Sequence, residues 1–175
     1  PSNRAETIKI SPEKTFLRAS SETPPNSVPI VLSDIGFKPD DVVLVRRLGD
    51  MRPGGIYTDT SVSMIAVFSS SPALLAATEL HRVVGAIDAG ADFITSPTYH
   101  GSVETDIPED FLVTDGAIVR VPAGATHLFV CPPDSLFHDN TDPDNDYAVS
   151  ITKVEPRDLV GSALAVWGGL LKSSP

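Results

Sequence analysis

A single cysteine, Cys131, excludes an internal disulfide, so the fold must hold without one. Basic residues are scarce as well: 13 Lys and Arg stand against 23 Asp and Glu, a formal net charge of −10. Nucleic acid is therefore not expected as a partner, because its phosphates need a basic surface. No apolar run reaches the roughly 18 residues of a spanning helix, and no basic segment leads into an apolar one as in a signal peptide. The compartment stays open; the lone cysteine suits a reducing one without requiring it. G-x-S-x-G, the Walker A loop and G-x-G-x-x-G are all missing. The paired acids of "DIPED" (106–110) resemble a glycosidase dyad, but acids in a turn before a strand are ordinarily caps. The reading is of a chain that is not an enzyme.

What is present points to β structure. A length of 175 residues suits one domain, and an apolar content of 41% suffices for a core. Sixteen prolines and 12 glycines favour turns and short strands over long helices. Residues 1–13 read as an N-terminal arm with a candidate short strand at 7–10, and 14–20 as a candidate strand. "VVLV" (42–45), "SVSMIAVFSS" (61–70), "FLV" (111–113), "AIVRV" (117–121), "THLFV" (126–130) and "YAVSITKV" (147–154) are short, β-branched or alternating, and bounded by turn residues. Two segments read differently. In 70–85, Ser71 as cap, Pro72 at the first helical position, and Leu74, Leu75, Thr78, His81 and Arg82 behind them predict a short helix. In 156–175, apolar residues recur with the period of an amphipathic helix, about 3.6 residues. The expected fold is mainly β: a jelly-roll-like antiparallel β-sandwich over 14–155, with the short inserted helix and a C-terminal helix over 156–175.

Charge is concentrated in one place. "CPPDSLFHDNTDPDNDYAVSIT" (131–152) carries five aspartates between Asp134 and Asp146 and, up to Thr152, no Lys or Arg. Crowded carboxylates repel, and a divalent cation offsets that. Calcium is the natural candidate, since it takes about 6–8 oxygen ligands; a solvated acidic loop is the plain alternative. The site is not an EF-hand. Asp142, Asp144 and Asp146 have its opening spacing, but the sixth position is Tyr147 rather than Gly and the twelfth is Lys153 rather than Glu. His127, Cys131 and His138 lack a fourth ligand at the spacing of structural zinc.

These residues also carry a resemblance. "VRVPAGATHLFVCPPDSLFHDNTDPDNDYAVSIT" resembles the closing half of the bacterial PA-I (LecA-type) galactophilic lectin domain. In that family a strand leads to an Asp, a short loop, an [DN]-N pair and a final strand. Upstream, "FKPDDVVLVRRLGDMRPG" is similar to the family's turn, strand and G-x4-G turn. The similarity spans about residues 14–154. It is specific at 119–151 and diffuse between 56 and 105.

The resemblance implies a small jelly-roll-like sandwich that binds one Ca2+, with vicinal sugar hydroxyls completing the coordination. Position by position, it implies Asp134, Asp139 and Asn140 as side-chain ligands, which also touch the sugar, and the carbonyls of Leu136 and Pro53 as backbone ligands. Phe137 or Tyr57 would supply the apolar wall for a galactoside-like ring. The chain departs from the family in a shorter loop after Asp134 and in "DPDND" in place of a tight turn. The segment after Gly54 also lacks the family's sugar-contacting His and Gln. Two alternatives stand beside calcium-dependent carbohydrate binding. One is a structural or assembly module, with Leu159, Ala163, Val166, Trp167 and Leu170 as a homo-oligomer interface; the other is a non-catalytic accessory domain of a glycan-degrading enzyme.

Overall fold

Short apolar runs closed off by Pro, Gly and Asp become strands in most places where they occur. In the computed structural model, which describes residues 5–55, 58–89, 107–113, 115–134 and 136–155, nine strands follow in chain order. They are β1 (Ala5–Lys9), β2 (Ile30–Val31), β3 (Val42–Leu48), β4 (Met64–Ser69), β5 (Ala86–Ile87), β6 (Phe111–Val113), β7 (Ala117–Arg120), β8 (His127–Cys131) and β9 (Ala148–Lys153). A four-stranded antiparallel sheet runs β1-β9-β3-β7. A second antiparallel sheet runs β2-β8-β4-β5, and β6 pairs with the first half of β4.

The sheets bury alternate side chains against each other, which makes the fold mainly β and sandwich-like. Val43 and Val45 of β3, Val119 of β7, and Val149 and Ile151 of β9 meet Met64, Ala66 and Phe68 of β4 and Leu128 and Val130 of β8 in one apolar cluster. The opposite face of the second sheet is buried too. Ile65 and Val67 of β4 and Phe129 and Cys131 of β8 lie under Phe16, Leu17, Val83, Ile107 and Phe137. Covering on both faces explains why β4 is buried at all six positions and reads as an unbroken apolar run rather than an alternating one.

The short helix expected in 70–85 does not form, and the described residues contain no helix. Ser71 does cap, its hydroxyl accepting from the Ala73 amide at 3.1 Å, but the chain then doubles back. Leu74 pairs with Val83 as an antiparallel bridge, and the Leu75 amide donates to the Arg82 carbonyl at 2.8 Å. The cause is Arg82, whose side chain is fully buried rather than lying on a helix face. Its guanidinium donates to the carbonyls of Leu75, Thr15 and Leu17 and to the Asn26 side chain. Those bonds fasten the 14–27 segment over the second sheet. Thr15 makes only an isolated bridge with Asn26, so 14–20 is a buried cover and not a strand. The candidate strand of the N-terminal segment is β1, paired with β9 over five positions. The expected C-terminal helix and its apolar stripe lie outside the described residues. No described helix is long and apolar enough to cross a membrane.

Candidate metal centre in the loop from β8 to β9

Pro132 and Pro133 stop the pairing of β8, since neither has an amide to donate. The chain then crosses from the second sheet to the first, where Tyr147 leads into β9. Tyr147 anchors the far end of the loop. It is buried, its hydroxyl donates to the Ser63 carbonyl at 3.0 Å, and its amide donates to Asp142 at 3.1 Å. Asp142 also accepts the Asp146 amide at 3.1 Å, so its carboxylate shapes the acidic turn.

The turn that follows β3 is docked onto this loop. Arg52 and Thr141 exchange two backbone hydrogen bonds of 2.8 and 3.0 Å in antiparallel register, which brings Pro53 level with Asn140. Gly54 is packed against the Asp139 side chain so closely that a Cβ there would overlap the carboxylate. Any other residue at 54 would displace Asp139. The G-x4-G turn and the Asp139–Asn140 pair, about 90 residues apart in sequence, are thus in contact.

Asn140 is the buried member of the site, with none of its surface exposed. Its side-chain nitrogen donates to the Pro12 carbonyl at 3.1 Å. Its side-chain oxygen is buried and has no hydrogen-bond partner among the described residues. An orphaned buried acceptor of this kind costs stability unless something binds it. Asp134 stands at the loop's entrance and accepts the Leu136 amide at 3.2 Å, a local Asx turn.

Phe137 is not available to a sugar. Its ring is fully buried in the second apolar cluster, which corrects its assignment as a stacking wall. The neighbouring apolar side chain that does reach solvent is Leu136, 42% exposed. Tyr57 lies outside the described residues. His127, Cys131 and His138 form no metal-binding group among the described residues. The Cys131 thiol is buried, and burial pushes it up to about 12.

Glu22 shapes the loop from a distance in sequence that no local pattern reveals. Its carboxylate accepts the amides of Phe137 and His138 and meets His138 Nδ1 at 2.5 Å. Burial raises the Glu22 carboxyl, but the two amides and the imidazole outweigh that and hold it below its ordinary 4.5. The same bond to Glu22 raises His138 above its ordinary 6.5, against a smaller opposing effect of burial, with the charges of Glu22 and Asp139 adding to the rise.

The end of the loop and the turn after β3 bring acids together. Among the described residues, the three acids whose side-chain oxygens all come within 4.8 Å of one another are Asp50, Asp144 and Asp146. Asp146 accepts the Asp50 amide at 2.9 Å and fills the space beside Gly49, where a Cβ would overlap it. Burial, then the neighbouring charges of Asp146 and Asp59, raise the Asp50 carboxyl; burial and Asp146 raise Asp144 likewise.

The described residues define a mainly β, two-sheet fold with an acidic loop between β8 and β9. Compared with protein-family models, curated proteins and solved structures, the chain matches none.

Proposed function

We propose that the chain is a calcium-dependent carbohydrate-binding domain of jelly-roll type, acting by binding alone. The observation that carries this reading is the side-chain oxygen of Asn140, buried and without a hydrogen-bond partner among the described residues, next in sequence to Asp139, whose carboxylate packs on Gly54. A hard cation is the partner such an oxygen fits, because calcium takes carboxylates, amide oxygens and backbone carbonyls in a flexible shell. The donor set is of that chemistry: Asp134, Asp139 and Asn140 by side chain, Leu136 and Pro53 by carbonyl. Bound there, calcium would supply a Lewis-acidic point that two adjacent sugar hydroxyls can share. The protein's own part is to hold the ligands. Glu22 pins the Phe137 and His138 amides, Gly54 leaves room for Asp139, and Pro12 fixes the Asn140 amide. With Phe137 facing the core, apolar contact to a sugar ring falls to Leu136.

Isothermal titration of the chelator-stripped chain with calcium, followed by galactosides with and without chelator, tests this. Saturable calcium binding, and sugar binding only when calcium is present, is the expected pair of results. Absence of any calcium-dependent binding across a broad monosaccharide panel would sink the reading.

A structural module remains the second reading, favoured by one observation. Asn140 already ties the β8–β9 loop to Pro12, so an ion at Asn140 would fasten several segments at once. That reading expects chelation to lower the melting temperature while no sugar binds.

A further inference from the structure

A cavity of about 190 Å³ opens where the edge strands of the two sheets, β1 and β2, come together. One part of its wall is aliphatic: Ile8, Ile10, Ile30 and Val130. Another part is cationic, with Lys9 and Lys14. Most cations described elsewhere in this acidic chain find an oxygen partner. Lys153 meets Asp41 at 2.7 Å, Arg52 meets Asp59 at 2.9 Å, and Arg120 donates to the Asp40 carbonyl at 3.2 Å. Lys9 and Lys14 have no ion pair among the described residues, although the formal net charge is −10. Ser27 also lines the cavity. It is 5% exposed, its amide is satisfied by the Thr15 carbonyl at 3.1 Å, and its hydroxyl is buried with no partner among the described residues.

These features select one ligand chemistry. Two unpaired ammonium groups call for an anion, and a buried unsatisfied hydroxyl calls for a hydrogen-bond partner. The aliphatic wall disfavours a phosphate or a sugar acid, whose hydroxyls and charges it would strip of water without compensation. The volume matches about six water molecules at about 30 Å³ each, the size of a short-chain acid. We propose that this cavity binds a small aliphatic monocarboxylate of about four to six carbons. The carboxylate meets Lys9, Lys14 and Ser27, and the chain lies against Ile8, Ile10, Ile30 and Val130. None of these residues belongs to the candidate calcium ligands, so this site stands or falls independently of them.

The test is a titration of the full chain, in chelator, with butanoate, hexanoate, hexanol and hexylamine, read by calorimetry and by methyl NMR of Ile8, Ile10 and Ile30. Hexanoate is expected to give saturable shifts at those methyls. Affinity should rise about fourfold per added methylene from butanoate to hexanoate, the burial of one CH₂ each. Hexanol should bind about tenfold more weakly and hexylamine not at all. The double variant Lys9→Met, Lys14→Met should keep its circular dichroism and melting temperature but lose the preference for acid over alcohol. Ser27→Ala should weaken hexanoate several-fold. If Ser27→Ala does not fold, the lysine variant alone decides. Equal affinity for hexanoate and hexanol, unchanged binding by the double lysine variant, or no saturable shift at the three isoleucines would overturn the proposal.

Discussion

The side-chain amide of Asn140 donates to the carbonyl of Pro12 at 3.1 Å, across 128 positions of sequence. That one bond fixes which atom of Asn140 is left over. With the nitrogen committed to Pro12, the oxygen is the free end, and it is buried.

Asn140→Ala should therefore behave differently with and without calcium. In chelator it removes one hydrogen bond but also one orphaned oxygen, and the net cost should be within about 1 kcal/mol. With calcium at about 100 times its dissociation constant, the parent chain should gain about 2.7 kcal/mol and the variant should gain little. Urea denaturation in both conditions measures the difference. An equal calcium response from the two chains would remove Asn140 from the site.

Gly54→Ala places a methyl where the Asp139 carboxylate sits. The methyl meets only the far end of an exposed side chain, which can swing aside, so stability should change by less than about 1 kcal/mol, while the displaced carboxylate should lower calcium affinity at least about tenfold. Thermal melts and calcium titration read the two effects separately. Unaltered calcium affinity would mean that Asp139 is not a ligand.

Phe137→Ala should destabilise the fold by about 3–5 kcal/mol, the cost of emptying a fully buried aromatic position. Phe137→Leu should keep most of the stability and leave sugar affinity unchanged, because the ring faces the second apolar cluster and not solvent. A selective loss of sugar binding in Phe137→Leu, with stability intact, would contradict the buried placement.

The Glu22–His138 pair gives stability a pH window. His138 is raised above 6.5, so its contribution is fully present below 6.5 and is lost as pH rises through the folded value. Glu22 is lowered below 4.5, so its contribution is present above 4.5 and is lost as pH falls through the folded value. The pair should therefore stabilise most between about pH 4.5 and 6.5. Glu22→Gln should lower stability within that window and reduce its fall on both flanks, as followed by denaturant midpoints at several pH values. A parallel profile in the variant would show that the pair does not respond to pH.

Arg82→Ala should cost upwards of about 3 kcal/mol, because it leaves the carbonyls of Leu75, Thr15 and Leu17 buried without their donor. Arg82→Lys should not restore them, since an ammonium cannot span the same forked set. Chemical denaturation compares the three chains, and near-parent stability in the lysine variant would argue against the fork.

Most strands were legible because their signal is local: apolar residues in β3, β7, β8 and β9 alternate or run together between turn residues. The segment 70–85 misled for the opposite reason. Its Ser-Pro start and helical spacing are local, whereas the residue that decides its path, Arg82, answers to carbonyls at 15 and 17. The three side chains expected at the loop, Asp134, Asp139 and Asn140, share one short stretch, whereas the approach of Gly54 to Asp139 joins segments about 85 residues apart and has no local signal. Glu22 gave no signal, because its bonds to Phe137 and His138 span 115 and 116 positions. The direction of the Phe137 ring was equally hidden, since it depends on the second sheet being covered on its outer face by the 14–27 segment.

β9 is the strand that closes the first sheet, lying between β1 and β3. Its register pairs Ala5 with Thr152 and Leu44 with the same residue. During synthesis the facing edges of β1 and β3 therefore wait, unpaired, until β9 emerges about 100 residues after β3. Those bare edges are where a half-made copy could add to another. The candidate metal loop immediately precedes β9, so an ion captured there would bring the loop's two banks together just before the last strand arrives.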